Sequence, residues 1–74
     1  MGEFKIKLRP NQEYITLQSV LQVGGIIDTG GMAKAFLEME EVLVNGELEN
    51  RRGRKLYPGD KVETLGKKFI IFNP

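Results

Sequence analysis

The segment VLVNGELE, residues 42–49, carries the strongest structural signal in this 74-residue sequence. Asn45-Gly46 stands between two apolar runs, and Asn-Gly is a preferred pair for a two-residue type I′ turn because both central positions need a positive φ. The pattern therefore predicts a β-hairpin in which Leu43 faces Leu48 across the two strands.

Two further turns are predicted downstream of the hairpin. At residues 57–60, YPGD, proline fixes φ at the second position and glycine accepts a positive φ at the third. A strand is expected to resume from Lys61 to Leu65, and Gly66-Lys67-Lys68 is predicted to turn again. The short apolar run at residues 69–72, FIIF, is suited to pair with an N-terminal strand and close the sheet.

That N-terminal strand is predicted at residues 4–9, FKIKLR, where apolar and basic residues alternate until Pro10. The alternation places Phe4, Ile6 and Leu8 on one face and the three cations on the other. The sequence does not indicate whether those cations widen or oppose a basic surface elsewhere.

Two helical patterns lie between this strand and the hairpin. Thr16 can cap a first helix, which is expected to end near Gly24-Gly25. A second helix is predicted from about Gly31 to Glu41, with Asp28 or Thr29 as its N-cap. The elements together predict an α+β fold, a two-helix hairpin packed on a small antiparallel sheet, with residues 1–74 as a single domain.

Composition excludes several function classes. The chain has no His and no Cys, which removes the commonest general base, thiol nucleophiles and the usual zinc ligands. The segment at residues 25–30, GIIDTG, has the glycine spacing of a P-loop, but Gly31 and Met32 stand where that loop needs Lys and Ser or Thr. We therefore expect no enzymatic activity, no metal, no cofactor and no small-molecule substrate.

The N-terminal residues lack the apolar stretch of a signal peptide, so a cytoplasmic location without a membrane partner is expected.

The net charge of +1 conceals an uneven distribution. Residues 1–49 hold four basic and eight acidic side chains, whereas residues 50–74 hold seven basic and two acidic ones. Four of those cations stand together in RRGRK, residues 51–55. The planar fork of arginine binds phosphate in a bidentate manner, so this run indicates either a phosphate-binding loop or a loop that is merely solvated.

At this point the order of elements resembles a known family. Residues 16–65 are similar to the S4 domain, a small RNA-binding module, and the most specific feature is an Asn-Gly hairpin followed, after a basic stretch, by Pro-Gly-Asp at residues 58–60. Over nearly the whole chain, DTGGMAK at residues 28–34 and RRGRKLYPGD at residues 51–60 look like the stand-alone, YaaA-like S4 proteins.

The resemblance implies a non-enzymatic protein that presents a basic groove to structured RNA, expected to be ribosomal RNA or a ribosomal subunit. Its implied role is in ribosome biogenesis. One difference from typical S4 domains is that the second helix opens with Gly30-Gly31 in place of Ser or Thr followed by Arg. The residues implied to bind RNA are Gly30, Gly31, Lys34, Arg51, Arg52, Arg54 and Lys55.

Two other function classes compete with RNA binding. Small ubiquitin-like sulfur carriers share the Val-Asn-Gly-Glu hairpin but act through a C-terminal Gly-Gly, whereas this sequence ends in Asn73-Pro74. The alternative that remains is a protein-protein interaction adaptor that uses charged surfaces, with the acidic helix residues Glu38, Glu40 and Glu41 as its docking face.

Overall fold

The computed structural model describes residues 2–73, and two sheets and two short helices account for most of them. In chain order the elements are β1 (Gly2–Lys7), β2 (Ile15–Thr16), α1 (Leu17–Val23), a 3-10 turn (Gly30–Met32), α2 (Ala33–Met39), β3 (Leu43–Val44), β4 (Glu47–Leu48), β5 (Lys55–Leu56), β6 (Lys61–Thr64) and β7 (Lys67–Phe72). The larger sheet has the strand order β1-β7-β6-β3-β4, and β2 pairs with β5 in a separate two-stranded sheet. The α+β class predicted from the sequence is confirmed.

The hairpin predicted at residues 42–49 is present. Asn45 and Gly46 have φ values of 53° and 86°, as a type I′ turn requires, and Leu43 pairs with Leu48. The turn at residues 57–60 is also present, because Gly59 has a φ of 97° and the Asp60 N–H donates to the Tyr57 carbonyl over 2.9 Å.

These two turns are joined by side chains. The Asn45 amide donates to Asp60 Oδ1 over 3.1 Å and accepts from the Lys61 backbone N–H over 3.0 Å. The other oxygen of Asp60 accepts from the Tyr57 N–H over 2.7 Å. The Asn-Gly and Pro-Gly-Asp motifs are therefore two halves of one hydrogen-bonded unit that fixes β3 against β6.

The third predicted turn lies one residue earlier than expected. Leu65 and Gly66 form it, with φ values of 51° and 76°, and Lys67 and Lys68 already belong to β7. Thr64 pairs with Lys67 across this two-residue turn, so the ladder between β6 and β7 uses both lysines. The sequence did not predict this turn because leucine, the residue type at position 65, seldom adopts a positive φ.

The N-terminal strand pairs with the C-terminal run, as the sequence suggested, but in a parallel orientation. The sheet is consequently mixed rather than wholly antiparallel. It also stays open, because β1 and β4 are its outermost strands. The strand begins two residues earlier than predicted and ends at Lys7, after which the Leu8 N–H still donates to the Phe72 carbonyl over 3.0 Å.

Both helices are shorter than a typical globular helix and depend on tertiary packing. Thr16 caps α1 as predicted, accepting from the Ser19 N–H over 3.3 Å, and the helix ends before Gly24. The second helix is tighter at its start and shorter at its end than predicted, because residues 30–32 form a 3-10 turn and Glu40 is already extended. Thr29 precedes that turn, but its side chain makes no capping bond.

One apolar core joins the helices to the inner face of the large sheet. Phe69 and Ile71 are buried on the inner strand β7, and the end of α1 lies against Phe69. The approach is close enough at Gly24 that a Cβ atom there would lie 2.6 Å from the Phe69 ring. The largest fully buried side chains are Phe69, Leu8, Leu17, Leu21, Leu56, Ile71, Val20, Val42, Val44 and Val62.

We expect the replacement Asn45→Ala to lower the free energy of unfolding by about 1–3 kcal/mol, because it removes two hydrogen bonds and places alanine at a positive φ. Urea denaturation measures this change. The exposed Asn50, for which no side-chain hydrogen bond is seen within residues 2–73, provides the control Asn50→Ala. Equal stability of the two variants would show that the two turns are not coupled.

Candidate nucleic-acid interface

The basic loop, residues 51–55, is attached to the start of α1 through its backbone. The Leu17 and Gln18 N–H groups donate to the carbonyls of Arg54 and Arg52, each over 2.9 Å. The first N–H groups of a helix have no partner within the helix, so the loop carbonyls satisfy two of them. The pairing of β2 with β5 continues the attachment, with Thr16 opposite Lys55. The backbone of the basic loop is therefore held in one position.

A buried carboxylate holds the loop from the other side. Glu49 is only 9% exposed, and its two oxygens accept from Arg51 Nε over 2.9 Å, Arg51 Nη2 over 3.1 Å and Arg54 Nη1 over 2.7 Å. The Arg51 backbone N–H donates to the same carboxylate over 3.0 Å. One glutamate thus orients two of the predicted arginines.

These contacts also set the charge state of the cluster. Hydrogen bonding from the Arg51 side chain, aided by Arg54, lowers the pKa of Glu49 to about 2, although burial opposes the shift. The carboxylate in turn raises the pKa of Arg51. Glu49 and both arginines are therefore charged at neutral pH, and with Arg52 and Lys55 the cluster has three net positive charges.

The remaining two cations of the loop are directed to solvent. Both ion pairs found within residues 2–73 involve Glu49, which leaves Arg52 and Lys55 without an acidic partner in that part of the chain. Lys55 lies beside an aromatic ring, its Nζ 5.0 Å from the centroid of Tyr14. Arg52 and Lys55 are therefore the cations of the basic loop for which an anionic ligand would not compete with Glu49.

The second helical segment consists of the 3-10 turn at Gly30–Met32 and α2. Its first residue lies next to Gln18, where the basic loop is attached to α1. A Cβ atom on Gly30 would lie 2.5 Å from the Gln18 amide nitrogen, and Gln18 is the residue whose backbone binds Arg52. Gly30 therefore lies against α1 at the end of the Gln18 side chain, which would have to move to admit a larger residue. Gly31 faces open space, and Lys34 is exposed in the first turn of α2.

The lysines of the N-terminal strand lie elsewhere. Ile6 faces the core, so the alternation of the strand turns Lys5 and Lys7 toward the outer face of the sheet, away from the helices. The basic loop is attached to α1, so these two cations are not expected to widen it. Sequence reasoning left this open, because an alternating pattern does not show which face of a sheet the helices cover.

Sequence reasoning missed the role of Glu49 and the pairing of Tyr14 with Tyr57, whose ring centroids are 6.0 Å apart. The only available signal for Glu49 was its position two residues before Arg51. Among residues 2–73, no three acidic side chains gather into a possible metal site, and no helix has the length and apolarity needed to cross a membrane.

The ion pairs of Glu49 should make the free energy of unfolding decrease as the pH is lowered into the acidic range. Because the pKa of Glu49 is lower in the folded chain than in the unfolded one, its contribution is complete above about pH 4.5 and is lost as the pH falls toward about 2. We expect Glu49→Gln to be less stable than the parent at pH 7, with the difference shrinking through this range. Urea denaturation at pH 7, 4 and 2.5 measures it, and a difference independent of pH would contradict the assignment.

Comparison with known proteins places the chain in a family. The S4 domain model matches residues 6–72. A Bacillus subtilis (strain 168) protein named "Probable ribosome maturation protein RlbA" is 59% identical over 54 residues, which cover 73% of this chain and 76% of the relative. No solved structure gives a significant match. The matched range includes the hairpin, the basic loop and both helices, and the chain belongs to the S4-domain family.

Proposed function

We propose that this protein binds structured RNA, with ribosomal RNA as the expected ligand, and that the basic loop and the start of the second helical segment form the binding surface. The observation that carries the proposal is the attachment of the basic loop to α1, which presents Arg52 and Lys55 to solvent on a fixed backbone. A cation held in place loses less conformational freedom on binding than one on a mobile loop.

Recognition would depend on phosphate position and RNA shape. Arg51 and Arg54 keep N–H donors beyond those that Glu49 occupies, so each can still bind a phosphate oxygen. Gly31 leaves open space at the start of the second segment, where a phosphate backbone can approach closely. Lys34 would add a cation one helical turn farther along the same segment.

Family membership and the relative support the proposal at a coarser level. The relative's name refers to ribosome maturation, and the S4 family is one of RNA-binding modules, so a non-enzymatic role connected with the ribosome is the natural assignment. A role in ribosome biogenesis in the cytoplasm, without cofactor or membrane partner, completes the proposal.

A second candidate function is docking of a basic protein segment in a groove of about 790 Å³, the acidic groove. Its wall has four glutamates, Glu3, Glu40, Glu41 and Glu63, against two lysines, Lys67 and Lys68. The exposed apolar side chains Met39 and Leu65 lie beside them. This groove is separate from the basic loop. It would become the leading site if the folded protein bound RNA and DNA equally weakly.

Two variants of equal charge test the RNA-binding surface. We expect R52Q/K55Q to weaken binding to a structured ribosomal RNA fragment at least tenfold and to reduce the slope of log affinity against log salt by about 1 for each phosphate that is no longer neutralised. The control K5Q/K7Q removes the same charge from the outer face of the sheet. It should bind nearly as the parent does, and equally weakened binding in both variants would contradict the proposed surface.

The open space at Gly31 allows a gain-of-function test. Typical S4 domains have arginine at this position, and no atom lies closer than 3.9 Å to a Cβ placed there. We expect Gly31→Arg to raise RNA affinity severalfold and to steepen the salt slope by about 1. An unchanged affinity and slope for Gly31→Arg would indicate that RNA does not approach the second helical segment.

A further inference from the structure

A cleft of about 620 Å³ lies between residues 10–13 and Tyr57, the residue two positions after the end of the basic loop. Its lining is largely uncharged and rich in hydrogen-bonding groups, with Asn11, Gln12 and Asn73 contributing amides. Among residues 2–73, Glu13 is the one charged residue in its lining. A phosphate is disfavoured there, whereas a neutral, planar group with donors and acceptors on its edge fits this chemistry.

Tyr57 forms an exposed aromatic wall of the cleft. The residue is 49% exposed, because the preceding Leu56 is directed into the core and Tyr57 is therefore turned outward. Its backbone is fixed in the turn through Asp60, which accepts from the Tyr57 N–H over 2.7 Å. Tyrosine offers a rigid stacking surface that loses little entropy on binding, and nucleobases stack on such rings.

The same ring is connected to the basic loop. Tyr57 packs against Tyr14 at a centroid distance of 6.0 Å, and the Lys55 ammonium lies 5.0 Å from the centre of the Tyr14 ring. One cation of the basic loop, Lys55, thus lies at the Tyr14 ring of the tyrosine pair, and the amide-lined cleft contacts Tyr57. This is the arrangement that a single nucleotide requires, with phosphate and base bound by different groups.

Two hydrogen bonds to Arg9 fix the position of Gln12 at the edge of the cleft. Its side-chain oxygen accepts from the Arg9 N–H over 3.1 Å, and its backbone N–H donates to the Arg9 carbonyl over 3.0 Å. The side-chain oxygen is therefore occupied, while the NH₂ group keeps its donors. Donors held in this way can contact the carbonyl oxygens and ring nitrogens on a base edge.

We propose that the cleft between residues 10–13 and Tyr57 receives one unpaired nucleobase, stacked on the Tyr57 ring, while the basic loop binds the neighbouring phosphates. This inference rests on the proposed function and extends it from phosphate and shape recognition to capture of a bulged or looped-out nucleotide. Structured RNA supplies such nucleotides at bulges, loops and junctions, which are the usual targets of base recognition in RNA.

The test uses two RNA hairpins of equal length, one with a single bulged 2-aminopurine and one with that base paired. The full chain should bind the bulged hairpin about 5- to 150-fold more tightly, the range expected for stacking one base on an aromatic ring, and the 2-aminopurine fluorescence should change on binding. Tyr57→Leu should remove the preference and the fluorescence change but keep the salt slope, whereas Tyr57→Phe should keep all three.

Phe4→Leu is the matched control, because Phe4 is an exposed aromatic residue of β1, 46% accessible, that stacks on Phe69 away from the cleft. It should retain the preference. Asn11→Asp provides a second test at an exposed position and should weaken the preference by adding a carboxylate to the cleft. Thermal unfolding monitored by circular dichroism verifies that each variant is folded.

The outcomes separate this inference from the proposed function. Equal affinity for both hairpins with a steep salt slope would overturn the base-binding cleft and leave RNA binding by the basic loop intact. A preference for the bulged hairpin that persists in folded Tyr57→Leu would also overturn the cleft. Failure of the parent chain to bind either hairpin would overturn both.

Discussion

The attachment of residues 51–55 to the first turn of α1 is the constraint on which the functional surface depends. A helix begins with N–H groups that need acceptors, and here the carbonyls of Arg52 and Arg54 provide them. One pair of backbone bonds thus completes the helix and immobilises the loop. Any rearrangement of the basic loop would leave two helix N–H groups without protein partners, so the loop and the helix are expected to order together.

The rest of the chain supports this attachment from both ends. Upstream of the loop, Glu49 leaves the hairpin and binds Arg51 and Arg54 with a carboxylate that stays ionised because of them. Downstream, Asp60 ties the turn at residues 57–60 to Asn45 in the hairpin. The loop therefore starts and ends at the same rigid unit, and its exposed cations project from a fixed frame.

Much of the fold could be predicted from the sequence where a local rule decides the conformation. Asn45-Gly46 has few alternatives to a type I′ turn, and Thr16 is a strong helix cap. The parallel pairing of β1 with β7 could not be predicted, because an alternating pattern does not show strand direction. The positive φ of Leu65 could not be predicted from local sequence either, because it depends on the pairing of Thr64 with Lys67 between two strands.

The candidate site was predictable in composition but not in arrangement. The run at residues 51–55 identified the cations, whereas the selection of Arg52 and Lys55 as the unpaired ones required the position of Glu49. The approach of Gly30 to Gln18, twelve residues away in the sequence, and the outward direction of Lys5 and Lys7 depend on where the helices lie. Each of these arrangements depends on tertiary contacts, which no local sequence pattern predicts.

The most direct test of the RNA-binding surface is an NMR titration of the labelled protein with a structured ribosomal RNA hairpin, following backbone amide shifts. If the basic loop and the second helical segment bind RNA, the largest shifts should fall at residues 30–34 and 51–57. Shifts centred on the outer face of the sheet, around Lys5 and Lys7, or on the acidic groove around Glu40 and Glu41, would contradict this surface.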